Sequence, residues 1–146
     1  MLTRAHAAYP NDADIMNRLG VTYVFQGKPQ EGVGLLERVL QIDPFHRRAI
    51  FAFLARGYVM LKEYEKAGEY LKRCYAEAAK FRVCYEVGAV YYVETGDIER
   101  AREAVSTLRS LAPTFTVSSA PAQLPFRLKA DQDRFIEAFR SAGMSE

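Results

Sequence analysis

The sequence predicts an all-α solenoid of antiparallel helix pairs, closed by a C-terminal capping helix. Three observations carry that expectation. Residues of matching character recur at spacings of 35 and then 34: Tyr23, Tyr58 and Tyr92; Gly32, Ala67 and Ala101; Leu36, Leu71 and Val105; Val39, Cys74 and Leu108; Gly27, Lys62 and Gly96. A fixed period of this length marks stacked supersecondary units. Apolar residues inside the first copy (Ile15, Met16, Leu19, Tyr23 and Val24) lie on one helical stripe. Pro44 and Pro113 fall on the same two shifts, just after their helices, where proline ends a helix.

Each element of the first copy has a local reason. Gly20 and Gly32 are small where two helices must cross closely. A glycine inside a helix costs about 1 kcal/mol against alanine, so close packing has to offset it. Gly27 suits the turn, and Pro29 suits the first position of the second helix. In the third copy, Gly96-Asp97 gives a turn followed by an N-cap aspartate. The middle copy has Ala79 where the others have proline.

These positions resemble the tetratricopeptide repeat (TPR) family. Three copies fit, at 13–46, 48–81 and 82–115. The resemblance implies a right-handed superhelix whose first helices line a concave groove. The copies depart from the family pattern at the fourth position, where Met16, Phe51 and Tyr85 stand, and at the large-small pair, which runs Leu19-Gly20, Leu54-Ala55 and Gly88-Ala89.

The ends differ from the repeats. Pro10 lies 34 residues before Pro44, and Leu2 and Ala5 match Leu36 and Val39. Residues 1–10 therefore read as the end of a truncated preceding repeat helix, and the chain as the C-terminal end of a longer array; an independent short capping helix is the alternative. Residues 116–146 form a linker and cap. Pro121 and Pro125 prevent a long helix in TVSSAPAQLPF, whereas ADQDRFIEAFRSAGM reads as a helix with Phe135, Ile136 and Phe139 as its apolar stripe. Gly143 suits its C′ position. Asp131, Asp133, Arg134, Glu137 and Arg140 would give the polar outer face that a solenoid end requires. The tail, with Leu124-Pro125-Phe126, Asp133-Arg134-Phe135 and the ending Phe139-Arg140-Ser141-Ala142-Gly143, resembles the C-terminal TPR region of bacterial class III nucleotidyl cyclases. No catalytic residue is carried over.

Composition narrows the function classes. The chain is 49% hydrophobic and 26% charged, the ordinary globular range. Twenty basic residues against 18 acidic ones give a net charge of +2, which argues against nucleic acid and polybasic membrane binding. No apolar run is long enough to span a bilayer, and the N-terminus lacks a signal peptide's apolar centre. A cytoplasmic setting is expected. Cys74 and Cys84 occupy apolar periodic positions and are expected as reduced thiols. His6 and His46 stand apart from any ligand cluster, so neither a metal nor a cofactor is expected. Gly32-Val33-Gly34 sits inside an amphipathic helix and is no phosphate loop. Glu63/Glu65 and Asp131/Asp133 read as solvated helix ends, and the phased tyrosines as core.

The groove remains as the candidate site. The resemblance assigns its facing positions to Asp14, Asn17, Val21, Val24 and Phe25, to Ala49, Ala52, Arg56, Val59 and Met60, and to Val83, Glu86, Val90, Val93 and Glu94. Most are apolar, and a contiguous apolar patch marks an interaction site. The expectation is a non-enzymatic module that binds a protein or peptide segment, with Phe25, Val59, Met60 and Val90 as anchors and Arg56, Glu86 and Glu94 setting orientation. Two alternatives stand beside it: the chain's own tail, or a second copy, fills the groove; or the chain is the regulatory or oligomerisation end of a larger enzyme such as a nucleotidyl cyclase. A C-terminal carboxylate clamp is rejected, because only Asn17 of its positions matches and valines would face the charge.

Overall fold

Repeating turns set the architecture. The computed structural model describes residues 2–146 and leaves Met1 outside the description. Among the described residues there are nine helices and no strand: α1 (Leu2–Ala8), α2 (Ala13–Phe25), α3 (Pro29–Ile42), α4 (Ile50–Met60), α5 (Tyr64–Glu77), α6 (Arg82–Glu94), α7 (Ile98–Leu111), α8 (Ala120–Gln123) and α9 (Lys129–Ser141). Helices α2 and α3, α4 and α5, and α6 and α7 pack as pairs, and α4 packs on α2, α3 and α6. The short α1 packs against α2 and buries none of its residues.

The three first helices end in the same way. Lys28 N–H donates to Tyr23 O (2.9 Å), Glu63 N–H to Tyr58 O (2.9 Å) and Asp97 N–H to Tyr92 O (2.8 Å). The residue before each donor closes the inner bond, Gly27 to Val24 O (3.3 Å), Lys62 to Val59 O (3.0 Å) and Gly96 to Val93 O (3.3 Å). This Schellman geometry needs a left-handed residue. Gly27 and Gly96 supply it at φ 81° and 87°, and Lys62 is forced into it at φ 58°. The period read from Tyr23, Tyr58 and Tyr92 is thus the period of one helix stop. Asp12 accepts from Ile15 N–H (3.0 Å) to start α2, Pro29 opens α3, and Asp97 accepts from Arg100 N–H (3.2 Å) to start α7.

Packing follows from the small residues. A Cβ added at Gly20 would stand 2.8 Å from Leu36 Cγ, and one at Gly32 would stand 2.7 Å from Gly20 O. The two glycines let α2 and α3 cross with backbones nearly touching. Helix α4 is flanked on both sides, so Ile50, Phe51, Ala52, Leu54, Ala55, Tyr58 and Val59 are all buried. Tyr58 and Tyr70 both donate to Glu37 Oε1 (2.8 and 2.7 Å), tying α3, α4 and α5 together. Burial first, and then the Glu37 carboxylate, pushes both phenols above their ordinary range.

One expectation is corrected here. Cys74 and Cys84 are joined in a disulfide and are not reduced thiols. The repeat phase placed each correctly, in the core of its own helix. What it missed is that the end of α5 and the start of α6 face one interface across the tight 78–81 turn. That turn is closed by Phe81 N–H donating to Ala78 O (2.9 Å). The Cα atoms are 5.9 Å apart, within disulfide range. The covalent link joins the second and third copies across the junction that has no closing proline.

Residues 116–146 fold as a unit. Pro121 lies in the first turn of the four-residue α8, and the chain then turns at Leu124–Phe126, where Phe126 N–H donates to Leu124 O (2.8 Å), before α9. Phe115, Phe135 and Phe139 are fully buried, with ring centroids 5.6 Å apart for Phe115–Phe139 and 6.2 Å for Phe135–Phe139. The chain end returns to the start of the tail, where Val117 N–H donates to Ser145 O (2.9 Å) and Ser118 N–H to Glu146 O (3.1 Å). Gly143, at φ 87°, closes α9 as expected.

Two stability outcomes follow. Lys62→Gly should raise unfolding stability by about 0.5–1 kcal/mol, because it relieves a left-handed side chain at some entropic cost; equilibrium denaturation reads this directly. Reducing the Cys74–Cys84 bridge, whose cysteines lie 10 residues apart, should lower stability by about 2–3 kcal/mol. Thiol titration of the unfolded, unreduced chain should find no free thiol.

Candidate partner groove and its cover

The thirteen residues expected to bind a partner lie on the first helices α2, α4 and α6, and Val24 among them turns inward, its Cγ2 2.6 Å from where a Cβ at Gly32 of α3 would stand. None of them is exposed. Val24, Ala52, Arg56, Val59, Glu86 and Val90 are buried, while Asn17, Val21, Phe25, Met60, Val83, Val93 and Glu94 are half-buried. The chain's own tail covers part of the first-helix surface.

Aromatic contact seats the tail at one end. The Phe126 ring lies between Phe25 of α2 and Phe135 of α9, at centroid distances of 4.8 and 4.9 Å. Beside it, Arg127 N–H donates to Phe25 O (2.8 Å), a carbonyl left open at the end of α2. Leu128 fills the space over Gly27, where an added Cβ would stand 2.7 Å from Leu128 Cδ1. Gly27 therefore serves both the turn and the cover.

An arginine locks the other end. Arg134 makes a two-pronged ion pair with Glu94 and donates to Val59 O (2.6 Å) and Met60 O (3.5 Å). Those carbonyls belong to the last turn of α4, the negative end of its dipole. Tyr64 donates to the same Glu94 (2.9 Å). The Glu94 carboxylate holds the Arg134 guanidinium above its ordinary range, whereas burial first, and then Glu94, raises the Tyr64 phenol. Arg134 was expected on the polar outer face of the cap; it turns inward to the Glu94 carboxylate and the C-terminal carbonyls of α4. Asp133, Glu137 and Arg140 do lie outward and exposed.

A buried charge cluster lies on the groove floor. Arg56 is 3.5 Å from Glu86, and Arg82 Nε is 3.3 Å from the other Glu86 oxygen. Arg82 also donates to Gln123 of the tail (2.7 Å), and Arg56 stacks over the Phe25 ring at 4.5 Å. Burial pushes the Glu86 carboxyl upward and is opposed by Arg56 and Arg82. Burial pulls Arg56 down and is opposed by Glu86. Arg56 and Glu86 are withdrawn from solvent, whereas the Arg82 side chain, 41% exposed, reaches the surface.

The remaining part of the face is open. A cavity of about 520 Å³ lies where α2 meets the α3–α4 loop, lined by Asn17, Arg18, His46, Arg47, Ala49, Ile50, Phe53 and Phe81. A second hollow of about 330 Å³ shares Asn17, Arg18 and Phe53 with it and continues along Val21, Thr22 and Leu2. Sequence reasoning missed His46 as a site residue because its loop lies outside the repeat helices. It missed the seating role of Phe126, although the Leu-Pro-Phe run was visible.

Residues 13–46 match the model of the tetratricopeptide repeat family. No curated protein matches the sequence. Among solved structures, a crystal structure of MamA superposes with a TM-score of 0.67 at 23% identity, covering 97% of this chain and 82% of that one. PilW, described as a widely conserved type IV pilus biogenesis factor, superposes with a TM-score of 0.69 at 16% identity over 97% of this chain and 62% of its own. The first TPR of Spaghetti (RPAP3), bound to the HSP90 peptide SRMEEVD, gives 0.63 at 16% identity over 88% and 91%. The fold is a tetratricopeptide-type α-solenoid with a C-terminal cap.

Arg134→Ala tests the lock. It should cost about 2 kcal/mol, the worth of charged hydrogen bonds at a largely buried site. Hydrogen exchange should quicken in 124–135, the segment that holds the Arg127 amide, before it quickens in α4.

Proposed function

We propose that the chain is a non-enzymatic protein-interaction module that takes a protein or peptide segment, apolar in part, on the face built by α2, α4 and α6. The observation that carries this reading is the tail itself: a turned, largely apolar segment, Leu124–Leu128, already lies against that face with Phe126 as its anchor. The face thus has the shape and chemistry to hold such a segment. The residues Asn17, Val21, Val24, Phe25, Ala52, Arg56, Val59, Met60, Val83, Glu86, Val90, Val93 and Glu94 remain the proposed groove. The tail supports the chain at the Phe25–Met60–Glu94 end, and a partner enters at the Asn17–Val21 end. The peptide-bound TPR of RPAP3 among the similar folds agrees with this reading.

The ionisable groups in the groove support a binding role over a catalytic one, because Arg56, Glu86, Arg134 and Glu94 are committed to each other. The repeat units remain 13–46, 48–81 and 82–115, with 1–10 as the end of a preceding repeat. The cyclase resemblance rests on tail residues that here serve the cover: Leu124 and Phe126 are buried in it and Gly143 ends its helix. No helix is long and apolar enough to cross a membrane among the described residues. The Cys74–Cys84 bridge favours an oxidising compartment over the cytoplasm expected from sequence.

Selection of a displayed random-peptide library on the full chain tests this function. The selected peptides should lose binding to Val21→Arg, with unchanged circular dichroism and melting temperature, and keep binding to Glu103→Arg on the exposed side of α7. Peptides that ignore Val21→Arg and respond to Glu103→Arg would place recognition on the opposite face and sink the proposal.

A further inference from the structure

We infer that the open cavity between α2 and the α3–α4 loop is a binding site for an extended peptide segment that carries a large apolar side chain beside a carboxylate. This rests on the interaction reading above and names the chemistry of the partner. No tail residue lines the cavity, so the cover leaves it free. At about 520 Å³ it has room for a side chain and its flanking backbone. It also runs on through shared residues into the second hollow beside Val21, which makes a trough and not a closed hole.

The polar groups indicate what fills it. His46 lines the cavity with only 6% of its surface exposed, and its Nε2 is buried with no hydrogen-bond partner. Asp14 Oδ1, at 3.9 Å, is too far to serve, and Asp43 stands on the other ring nitrogen at 3.4 Å. Asn17 Oδ1 is buried and unpartnered in the same cavity. Buried polar atoms left unpaired are costly, and few are tolerated. Two such atoms lining one cavity are acceptors in search of donors, which backbone N–H groups of a bound peptide segment would supply.

The apolar and charged parts complete the specification. Phe53 and Phe81 meet edge to face at 5.8 Å, with Ile50 beside them, and offer a slot for an aromatic or large aliphatic side chain. At the mouth, Arg47 is paired with Asp14 at 3.2 Å, whereas Arg18 has no ion pair among the described residues. A carboxylate next to the apolar side chain would reach Arg18 in a charge-assisted hydrogen bond. The set of donors and acceptors is therefore that of an acidic, extended segment of another protein.

Titrating the isotopically labelled full chain with acetyl-Glu-Phe-Glu-amide, and with the Gln-Phe-Gln and Lys-Phe-Lys counterparts, tests the inference by nuclear magnetic resonance. The acidic probe should shift the Asn17 side-chain amide and the His46 ring saturably, and bind at least fivefold tighter than the neutral probe. Arg18→Gln, at an exposed side chain, should remove that preference, and His46→Gln should weaken both probes. Equal or reversed preference, or saturable shifts confined to other residues, would overturn the inference. Library peptides that respond to Val21→Arg yet lack acidic residues would end this assignment while leaving the interaction function standing.

Discussion

A stack of helix pairs cannot cover its own inner face, and that constraint governs this molecule. The second helices α3, α5 and α7 bury one side of α2, α4 and α6. The opposite side carries Phe25 and Met60, which meet the tail. Burial of apolar surface at about 25 cal/mol per Å² makes an uncovered face of this kind a strong driving force for something to settle on it. Part of the answer is intramolecular. Phe126 packs on Phe25, and Arg134 closes over Glu94 and the end of α4.

The cover is built for permanence. Its own cluster of Phe115, Phe135 and Phe139 is fully buried, and its first and last residues are hydrogen-bonded to each other. Displacing it would expose those rings and break the Arg134 lock at once. The tail is accordingly better described as the end of the core than as a removable plug. The consequence for function is geometric: recognition is pushed toward the open end beside Asn17, Val21 and Phe53. There the surface changes from aliphatic to a mixture of aromatic rings, unpaired acceptors and a free guanidinium.

Much of this was legible in the sequence, and the reasons are specific. Tyr23, Tyr58 and Tyr92 mark the same place in each copy, the turn where the first helix stops. Val39, Cys74 and Leu108 recur as apolar residues because each is fully buried in the core near the end of its second helix. Gly20 and Gly32 were readable because helices that cross closely exclude side chains. Period and size are one-dimensional signals, and a solenoid is nearly one-dimensional. What escaped was contact between distant segments. Nothing in the spacing of Arg134 says that it meets Glu94 and the end of α4. Nothing in the phase of Cys74 and Cys84 says that their side chains face each other. Contact of the tail with the first helices was one of the alternatives that only packing could decide.

The account stands or falls on the tail being seated. Nuclear Overhauser contacts between the ring protons of Phe25 and Phe126 measure it most directly. With ring centroids 4.8 Å apart, strong cross-peaks are predicted in the free full-length chain. Absence of those cross-peaks, with Phe126 at random-coil shifts, would contradict it and return the whole first-helix face to solvent.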